Sequence, residues 1–163
     1  MNRKARRLAP GEVALGRSIF GAAIHYPDVR VYRRRYWVLQ TRGVAMAPDG
    51  NIYFHPADHL CDFSVHGLGS QAWFLHELTH VWQHQQGVKV TLCGMFNRNY
   101  RYGALSGGRP FSAYGVEQQA CIVADYFRLR NGLPPRESGN SLADYEGVLE
   151  TTPWHADCRS PAT

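Results

Sequence analysis

One apolar segment with two histidines, residues 74–84 (FLHELTHVWQH), constrains the fold of this chain more than any other. If the segment is helical, His76 and His80 lie one turn apart on the same face. A helical wheel turned by about 100° per residue puts Glu77 on the polar side with them. The opposite side consists of apolar residues, namely Phe74, Leu75, Leu78, Val81 and Trp82. The pattern predicts a helix that packs against the core by one face and carries its polar groups on the other.

The order H-E-x-x-H within a helix is typical of zinc hydrolases, in which both histidines bind one metal ion and the glutamate acts on water. Glu77 stands in the glutamate position of this motif. The alternative is a partly buried helix whose histidines form only hydrogen bonds. We favour a metal site, because a chance motif in a solvated helix would be expected to scatter its charges and to lack the apolar face.

A catalytic zinc site needs three protein ligands and an open position, so a third ligand must join the two histidines. His84 is near in sequence, but it lies about 12 Å from His76 along a straight helix, at 1.5 Å per residue. The extended metzincin motif would require a glycine and a histidine where Gln83 and Gln86 stand. The third ligand is therefore expected from another part of the chain.

A second long helix, predicted over residues 114–127, offers Glu117 as that ligand. This glutamate shares a helical face with three small residues, Ala120, Cys121 and Ala124. Small residues would allow the two helices to pack closely and bring the carboxylate to the metal. The alternative is an exposed glutamate near a helix N-terminus. On the same helix, Asp125 is a candidate for orienting a metal-binding histidine by a hydrogen bond, with a surface position as its alternative.

The remaining sequence predicts an α+β fold with a small sheet beside these helices. A helix is expected over residues 10–21, and strands over 29–39, 43–47 and 51–54. Pro48, Asp49 and Gly50 form a turn signal that makes the last two strands a hairpin. In zinc peptidases of the H-E-x-x-H type, which the chain resembles in this motif, a small sheet commonly borders the cleft. By that resemblance we expect this hairpin to form the edge of the cleft.

The boundaries of the other elements follow from capping and turn residues. Ser70 is a candidate cap for the H-E-x-x-H helix, and Gly87 is suited to end it. A short strand is expected over residues 88–92 and a short helix over 141–149.

Length and composition indicate one soluble domain, with 163 residues, of which 44% are hydrophobic and 19% charged. We expect its ends, residues 1–8 and 153–163, to be loosely ordered. No apolar run approaches the 18 residues or so of a membrane span, and no apolar stretch follows the basic N-terminus as in a signal peptide. We therefore expect synthesis in the cytoplasm with reduced thiols, and the four cysteines form no C-x-x-C pair.

The net charge of +5 comes partly from two basic clusters, residues 3–7 and 30–35. A solvated basic face is the simplest interpretation, since no nucleic-acid-binding motif accompanies the charge. Aromatic residues alternate with arginines over residues 31–37, which keeps a nucleic-acid partner as a minor alternative. Such binding is not expected to be the function.

Several motifs in one order resemble the metallopeptidase domains of bacterial type VI secretion spike proteins of the VgrG type. They are similar, more distantly, to H-E-x-x-H domains in the cargo of contractile injection systems. The motifs are PGEVALGRSIFG (10–21), DGNIYF (49–54), DFS (62–64), HELTHVWQ (76–83) and YGVEQQA (114–120). The resemblance implies a zincin fold, Zn²⁺ held by His76, His80 and Glu117, and Glu77 as the catalytic base. It also implies an antibacterial or host-directed effector that acts outside the producing cytoplasm.

The function that we expect is a zinc metallopeptidase that hydrolyses peptide bonds of a peptide or protein substrate. A further donor would stabilise the oxyanion, and the candidates are Tyr102, Tyr114 and His155. The sequence contains no spike domain, so we expect an excised domain, a free effector or a protein loaded by a partner. A secretion spike or an immunity protein is the expected partner, and the periplasm of a target cell or a host cell is the expected destination. The alternative function is a non-catalytic adaptor of a secretion apparatus that zinc stabilises.

Overall fold

A four-stranded mixed sheet lies beside a pair of long helices in the computed structural model, which describes residues 5–90, 99–105 and 107–157. The strands in these residues are β1 (Ala5–Arg7), β2 (Arg30–Arg33), β3 (Ala45–Met46) and β4 (Ile52–Phe54). The α-helices in them are α1 (Pro10–Phe20), α2 (Leu68–Gln85), α3 (Val116–Arg130), α4 (Leu142–Leu149) and α5 (Pro153–Asp157). Short 3₁₀ turns cover Tyr26–Asp28, Phe63–Val65 and Phe111–Ala113. The architecture is α+β, as the sequence predicts.

The sheet has the order β1-β2-β4-β3 and is antiparallel except where β2 runs parallel to β4. The predicted hairpin is confirmed, because β3 and β4 pair antiparallel on either side of a turn in which Gly50 has a φ of 80°. Only a residue that tolerates positive φ fits there. The strand expected over residues 29–39 is shorter than predicted and ends at Arg33, where the chain leaves the sheet.

The N-terminal segment differs from the expectation of a loose lead-in, since residues 5–7 form strand β1 against β2. Arg6 explains the difference, because both of its terminal nitrogens lie 2.7 Å from the carboxylate oxygens of Glu12. Glu12 is fully buried and also accepts hydrogen bonds from the backbone N–H groups of Ala9 and Phe63. A buried carboxylate needs such partners. Arg6 is one of them, and its contact with Glu12 orders strand β1.

Helix α2 begins earlier than predicted and ends where predicted. Its N-cap is Gly67, so Ser70 lies inside the first turn rather than at the cap. Gly87 ends the helix with a φ of 83°, and the N–H of Val88 returns to the carbonyl of Gln83. The apolar face is fully buried, with no exposed area at Phe74, Leu75, Leu78 and Val81.

The C-terminal part supports the two long helices. Helix α4 begins at Leu142, close to the predicted bounds, and Ser141 caps it together with Asp144. Helix α5 lies in the part expected to be loosely ordered, and its Trp154 packs edge-on against Trp82 of α2. The strand expected over residues 88–92 is absent from 88–90, and its last two residues lie outside the described part. Among the helices of the described ranges, none has the length and apolar composition of a membrane span.

Candidate metal centre

Three side chains from two helices converge at the polar face of α2. His76 and His80 lie one turn apart on that helix, and Glu117 is the second residue of α3, which packs alongside. The Nε2 atoms of the two histidines are 3.2 Å apart, and each is 3.3 Å from Oε2 of Glu117. Among the described residues, these three form the group of His, Cys, Asp or Glu side chains that is arranged to hold a metal ion.

The three donor atoms fit a tetrahedral zinc site. When zinc is bound at about 2.0–2.1 Å by each ligand, neighbouring ligand atoms of a tetrahedron are about 3.3–3.4 Å apart. The three observed separations of 3.2, 3.3 and 3.3 Å are close to that value. Two imidazoles with one carboxylate are also a donor set of catalytic zinc sites, in which the fourth position stays open.

A relay of two glutamines, Gln119 and Gln83, fixes the orientation of His80. The amide nitrogen of Gln119 donates to the carbonyls of Phe111 and Tyr114, which leaves its Oε1 as an acceptor. The amide nitrogen of Gln83 donates to this Oε1 over 2.8 Å and to the carbonyl of Val116 over 3.0 Å. Because both donors of Gln83 are used, its Oε1 faces His80 as an acceptor.

The relay determines which nitrogen of His80 carries hydrogen. Oε1 of Gln83 lies 2.8 Å from Nδ1 of His80, so Nδ1 must be the N–H that donates. In the neutral ring, Nε2 then directs its lone pair towards His76 and Glu117. Gln83 was not predicted as part of the site, although its position three residues after His80 on the polar side of the wheel was the available signal.

The charges at the centre are complementary to a cation. Burial disfavours ionisation of Glu117, but the hydrogen bonds that His76 and His80 donate when their rings are protonated outweigh it and hold the pKa of this carboxyl well below its usual range. Burial also disfavours the charged form of His80, yet its contact with Glu117 raises the pKa of the imidazole. The carboxylate is therefore ionised and draws positive charge to the point where the three donors meet.

Glu77 lies next to these donors without belonging to the group. Its side chain is buried, and burial raises the pKa of its carboxyl, while the nearby His76 and His80 act in the opposite direction. One of its oxygens, Oε2, has no hydrogen-bond partner among the described residues. A buried carboxylate oxygen without a partner is costly, and such groups are retained where they serve chemistry.

A cleft of about 770 Å³ opens over the centre and is bordered by Glu77 and the three donor residues. One wall consists of the β3 hairpin and the loop before it, with Trp37, Val44 and Met46 among its residues. The predicted place of the hairpin at the cleft edge is therefore confirmed. The other wall belongs to α3 and the segment after it, including Arg128 and Arg136.

Asp125 does not orient a histidine as the sequence suggested. It is buried and accepts hydrogen bonds from the hydroxyl of Tyr102 and from the backbone N–H groups of Arg136 and Glu137, at 2.7, 2.7 and 3.0 Å. Since α3 ends before these residues, Asp125 anchors the returning chain to the helix. The orienting role at His80 falls to Gln83 instead.

The candidate oxyanion donors lie elsewhere. The Tyr102 hydroxyl is buried between Asp125 and Tyr145, and this environment raises its pKa, so its proton is held in that cluster. Tyr114 is buried and is not among the residues that line the cleft. His155 follows Trp154 on α5, and Trp154 packs on Trp82 of α2. Trp82 lies about 200° around α2 from His80, so α5 packs on the side of α2 that is turned away from the three donor residues.

His84 is separate from the centre, as its distance along the helix predicts. It is exposed and lies against the hairpin turn, where a Cβ on Gly50 would come within 2.8 Å of its ring. The glycine therefore serves both the turn conformation and the close approach of α2.

Comparison with known proteins identifies relatives of this chain. No profile of a known protein family matches it. It is 38% identical over 159 residues to the type VI secretion system spike protein VgrG2b of Pseudomonas aeruginosa. The aligned region covers 91% of this chain but only 15% of the spike protein. The solved effector domain of VgrG2b superposes with a TM-score of 0.78 at 36% identity, covering 88% of this chain and 83% of that domain. The chain therefore belongs to the family of the VgrG2b effector domain of type VI secretion spike proteins.

Proposed function

We propose that this chain is a zinc-dependent metallopeptidase that serves as a type VI secretion effector. The observation that carries the proposal is the convergence of His76, His80 and Glu117 at tetrahedral spacing, with Glu77 beside them under an open cleft. The expected fold is zincin-like, and the expected metal is Zn²⁺. The family relationship supports the role as an effector, and the donor set supports the chemistry.

The residues of the centre have different roles in the proposed hydrolysis. Zinc, when bound, supplies a Lewis acid that polarises the scissile carbonyl and lowers the pKa of water towards ~7. His76, His80 and Glu117 would hold the ion, while the glutamine relay keeps His80 in the ligating tautomer. Glu77 takes a proton from the attacking water and passes it to the leaving amine. In the metal-free centre, burial raises the pKa of Glu77, which is the direction that suits a general base at neutral pH.

A peptide or protein is the substrate class that fits the cleft. Strand β3 is the edge of the sheet and pairs on one side with β4, and no other strand of the described residues pairs with its second side, where an extended chain could add. An extended peptide beside β3 would pass over His76 and Glu77, since both the hairpin and these residues border the cleft.

The relatives support a proposal for delivery and partners. VgrG2b is a secretion spike protein, and this chain corresponds to its effector domain. We infer loading on a secretion spike, action in the periplasm of a target cell or in a host cell, and neutralisation by an immunity protein in the producer.

The test of the proposal is metal-dependent cleavage. The purified protein should contain about one zinc ion per chain and cleave members of an unbiased peptide library. Chelation should abolish cleavage, and zinc should restore it, while circular dichroism reports whether the fold persists. Stoichiometric zinc without cleavage of any peptide or envelope protein would contradict the proposal.

Replacing Gln83 with Leu should lower zinc affinity about 10- to 100-fold, because His80 loses the acceptor that fixes its tautomer. Gln83→Glu keeps an acceptor at the same place and should recover part of the affinity. Competition with a zinc-binding dye measures both values. Gln86→Leu, an exposed glutamine of the same region, is the matched control. Equal affinities for Gln83→Leu and the control would remove Gln83 from the site.

A further inference from the structure

An exposed apolar loop stands at the mouth of the cleft. It spans residues 34–44, and we call it the rim loop. Three consecutive residues at its tip are exposed although apolar, with Trp37 at 52%, Val38 at 72% and Leu39 at 68%. Tyr36 and Val44 on either side are exposed as well. A contiguous exposed patch of this kind marks an interaction site more often than scattered single residues do.

The rim loop is held in this conformation by a buried glutamine. The side chain of Gln40 is inside, where its Oε1 accepts from the N–H of Tyr36 and its Nε2 donates to the carbonyls of Val44 and Tyr53. The N–H of Gln40 also closes on the carbonyl of Trp37. The loop is thus tied at its base to β4, and its apolar tip projects into solvent instead of folding inward.

The charged residues in the sequence of the rim loop are all positive. Between Asp28 and Asp49 the sequence has no acidic residue and five arginines, which are Arg30, Arg33, Arg34, Arg35 and Arg42. The guanidinium of Arg35 reaches the carbonyl of Val38 at the tip, and Arg34 lies over the rings of Tyr32 and Tyr53. Arg42 lies 3.6 Å from the carboxylate of Asp58, which partly neutralises its charge.

We propose that the rim loop docks this domain on an anionic lipid surface. Trp37, Val38 and Leu39 would enter the boundary between headgroups and acyl chains, where tryptophan is favoured, and the arginines would meet the lipid phosphates. Charge complementarity argues for lipid, since a projecting apolar tip flanked by an excess of cations, four arginines besides the Arg42 that Asp58 faces, matches an anionic interface. Val38 is the most exposed member of the tip and does not line the cleft, so it is directed to something other than a peptide in the cleft.

Docking in this way would place the cleft against the membrane. Trp37 and Leu39 belong both to the rim loop and to the cleft wall, so the cleft opens beside the inserted tip. Peptide segments close to a lipid surface would then be the accessible substrates. This last step rests on the proposed peptidase function, whereas the docking itself requires neither metal nor catalysis.

Co-sedimentation with vesicles tests the docking. The full chain should bind vesicles of phosphatidylglycerol and phosphatidylcholine, bind vesicles of phosphatidylcholine alone much less, and lose binding as salt rises. The double variant Trp37→Ser/Leu39→Ser should lower the partition coefficient at least about tenfold. Arg34→Gln/Arg35→Gln should lower it about fivefold for each charge removed.

Matched controls come from the same chain. Val65 is 76% exposed and lies outside the rim loop, so Val65→Ser should bind as the wild type does. Arg101→Gln/Arg130→Gln removes the same charge from exposed positions elsewhere and should have the smaller effect. The single variant Val38→Ser leaves the cleft wall intact, and it should also lower binding if the double variant folds poorly.

Three results would overturn the docking proposal. In the first, the wild-type chain does not bind anionic vesicles. In the second, the rim-loop variants bind these vesicles as well as Val65→Ser does. In the third, vesicle binding is absent and the rim-loop variants lose affinity for an apolar peptide or a soluble protein, which would make the loop a protein-binding surface. Because vesicle binding is read without catalysis, absent peptidase activity would leave this test intact.

Discussion

Replacing Glu77 with Gln lowers the rate of peptide hydrolysis by about 10²- to 10⁴-fold and leaves zinc content unchanged. The amide has the same shape but cannot take a proton from water, and general base catalysis contributes a factor of this size. Zinc should remain, because the converging donor atoms come from His76, His80 and Glu117. The fold should not weaken, because burial already disfavours the charged form of Glu77 and its Oε2 has no hydrogen-bond partner to lose among the residues that the structure describes.

The measurement pairs steady-state cleavage of a peptide substrate with zinc analysis and thermal denaturation of the same samples. Glu146→Gln, which changes an exposed carboxyl on α4, is the control and should behave as the wild type. If Glu77→Gln cleaves at the wild-type rate, the base is another residue. If Glu77→Gln keeps every biological activity while chelation unfolds the protein, zinc is structural and the chain is a binding adaptor.

The sequence predicted the parts of the site that depend on local periodicity. The spacing of His76 and His80 and the small residues near Glu117 are properties of single helices, and α2 and α3 bring these side chains together as expected. The hairpin at the cleft edge was also predictable, because its turn residues are adjacent in sequence. Each of these features depends on residues that are close together in the sequence.

The parts that sequence reasoning missed depend on partners far apart in the chain. Strand β1 forms because Arg6 meets the buried Glu12, whose carboxylate also holds the N–H of Phe63. Tyr102 was expected near the oxyanion, but its hydroxyl is 23 residues from its partner Asp125 and no periodicity links them. Gln83 carried a usable signal, yet its role depends on Gln119 across the helix interface. Long-range hydrogen bonds of this kind leave no pattern in a single sequence.

Removing the carboxylate of Glu117 should cost zinc affinity on the order of a hundredfold. Structural zinc sites bind with roughly 10–16 kcal/mol, so one ligand of a tetrahedral set accounts for about 3 kcal/mol. Glu117 would also supply the negative charge that offsets a bound cation, since its carboxyl is held in the ionised form. In Glu117→Ala, the zinc-dependent part of the unfolding free energy should fall by about 2.7 kcal/mol when zinc is in excess.

Denaturant unfolding of the wild type and of Glu117→Ala, each with zinc and with chelator, measures this difference directly. Glu146→Ala removes an exposed carboxylate from another helix and should leave the zinc-dependent part unchanged. Glu117→Asp separates the effect of charge from the effect of side-chain length. It keeps the charge, but its side chain is one methylene shorter, so its oxygen lies farther from the two Nε2 atoms than the 3.3 Å of the wild type. A loss in Glu117→Asp approaching that of Glu117→Ala would show that closing the tetrahedron matters more than net charge. Equal zinc linkage in Glu117→Ala and the wild type would mean that Glu117 is not a ligand of the ion, because loss of one of three ligands must weaken the site.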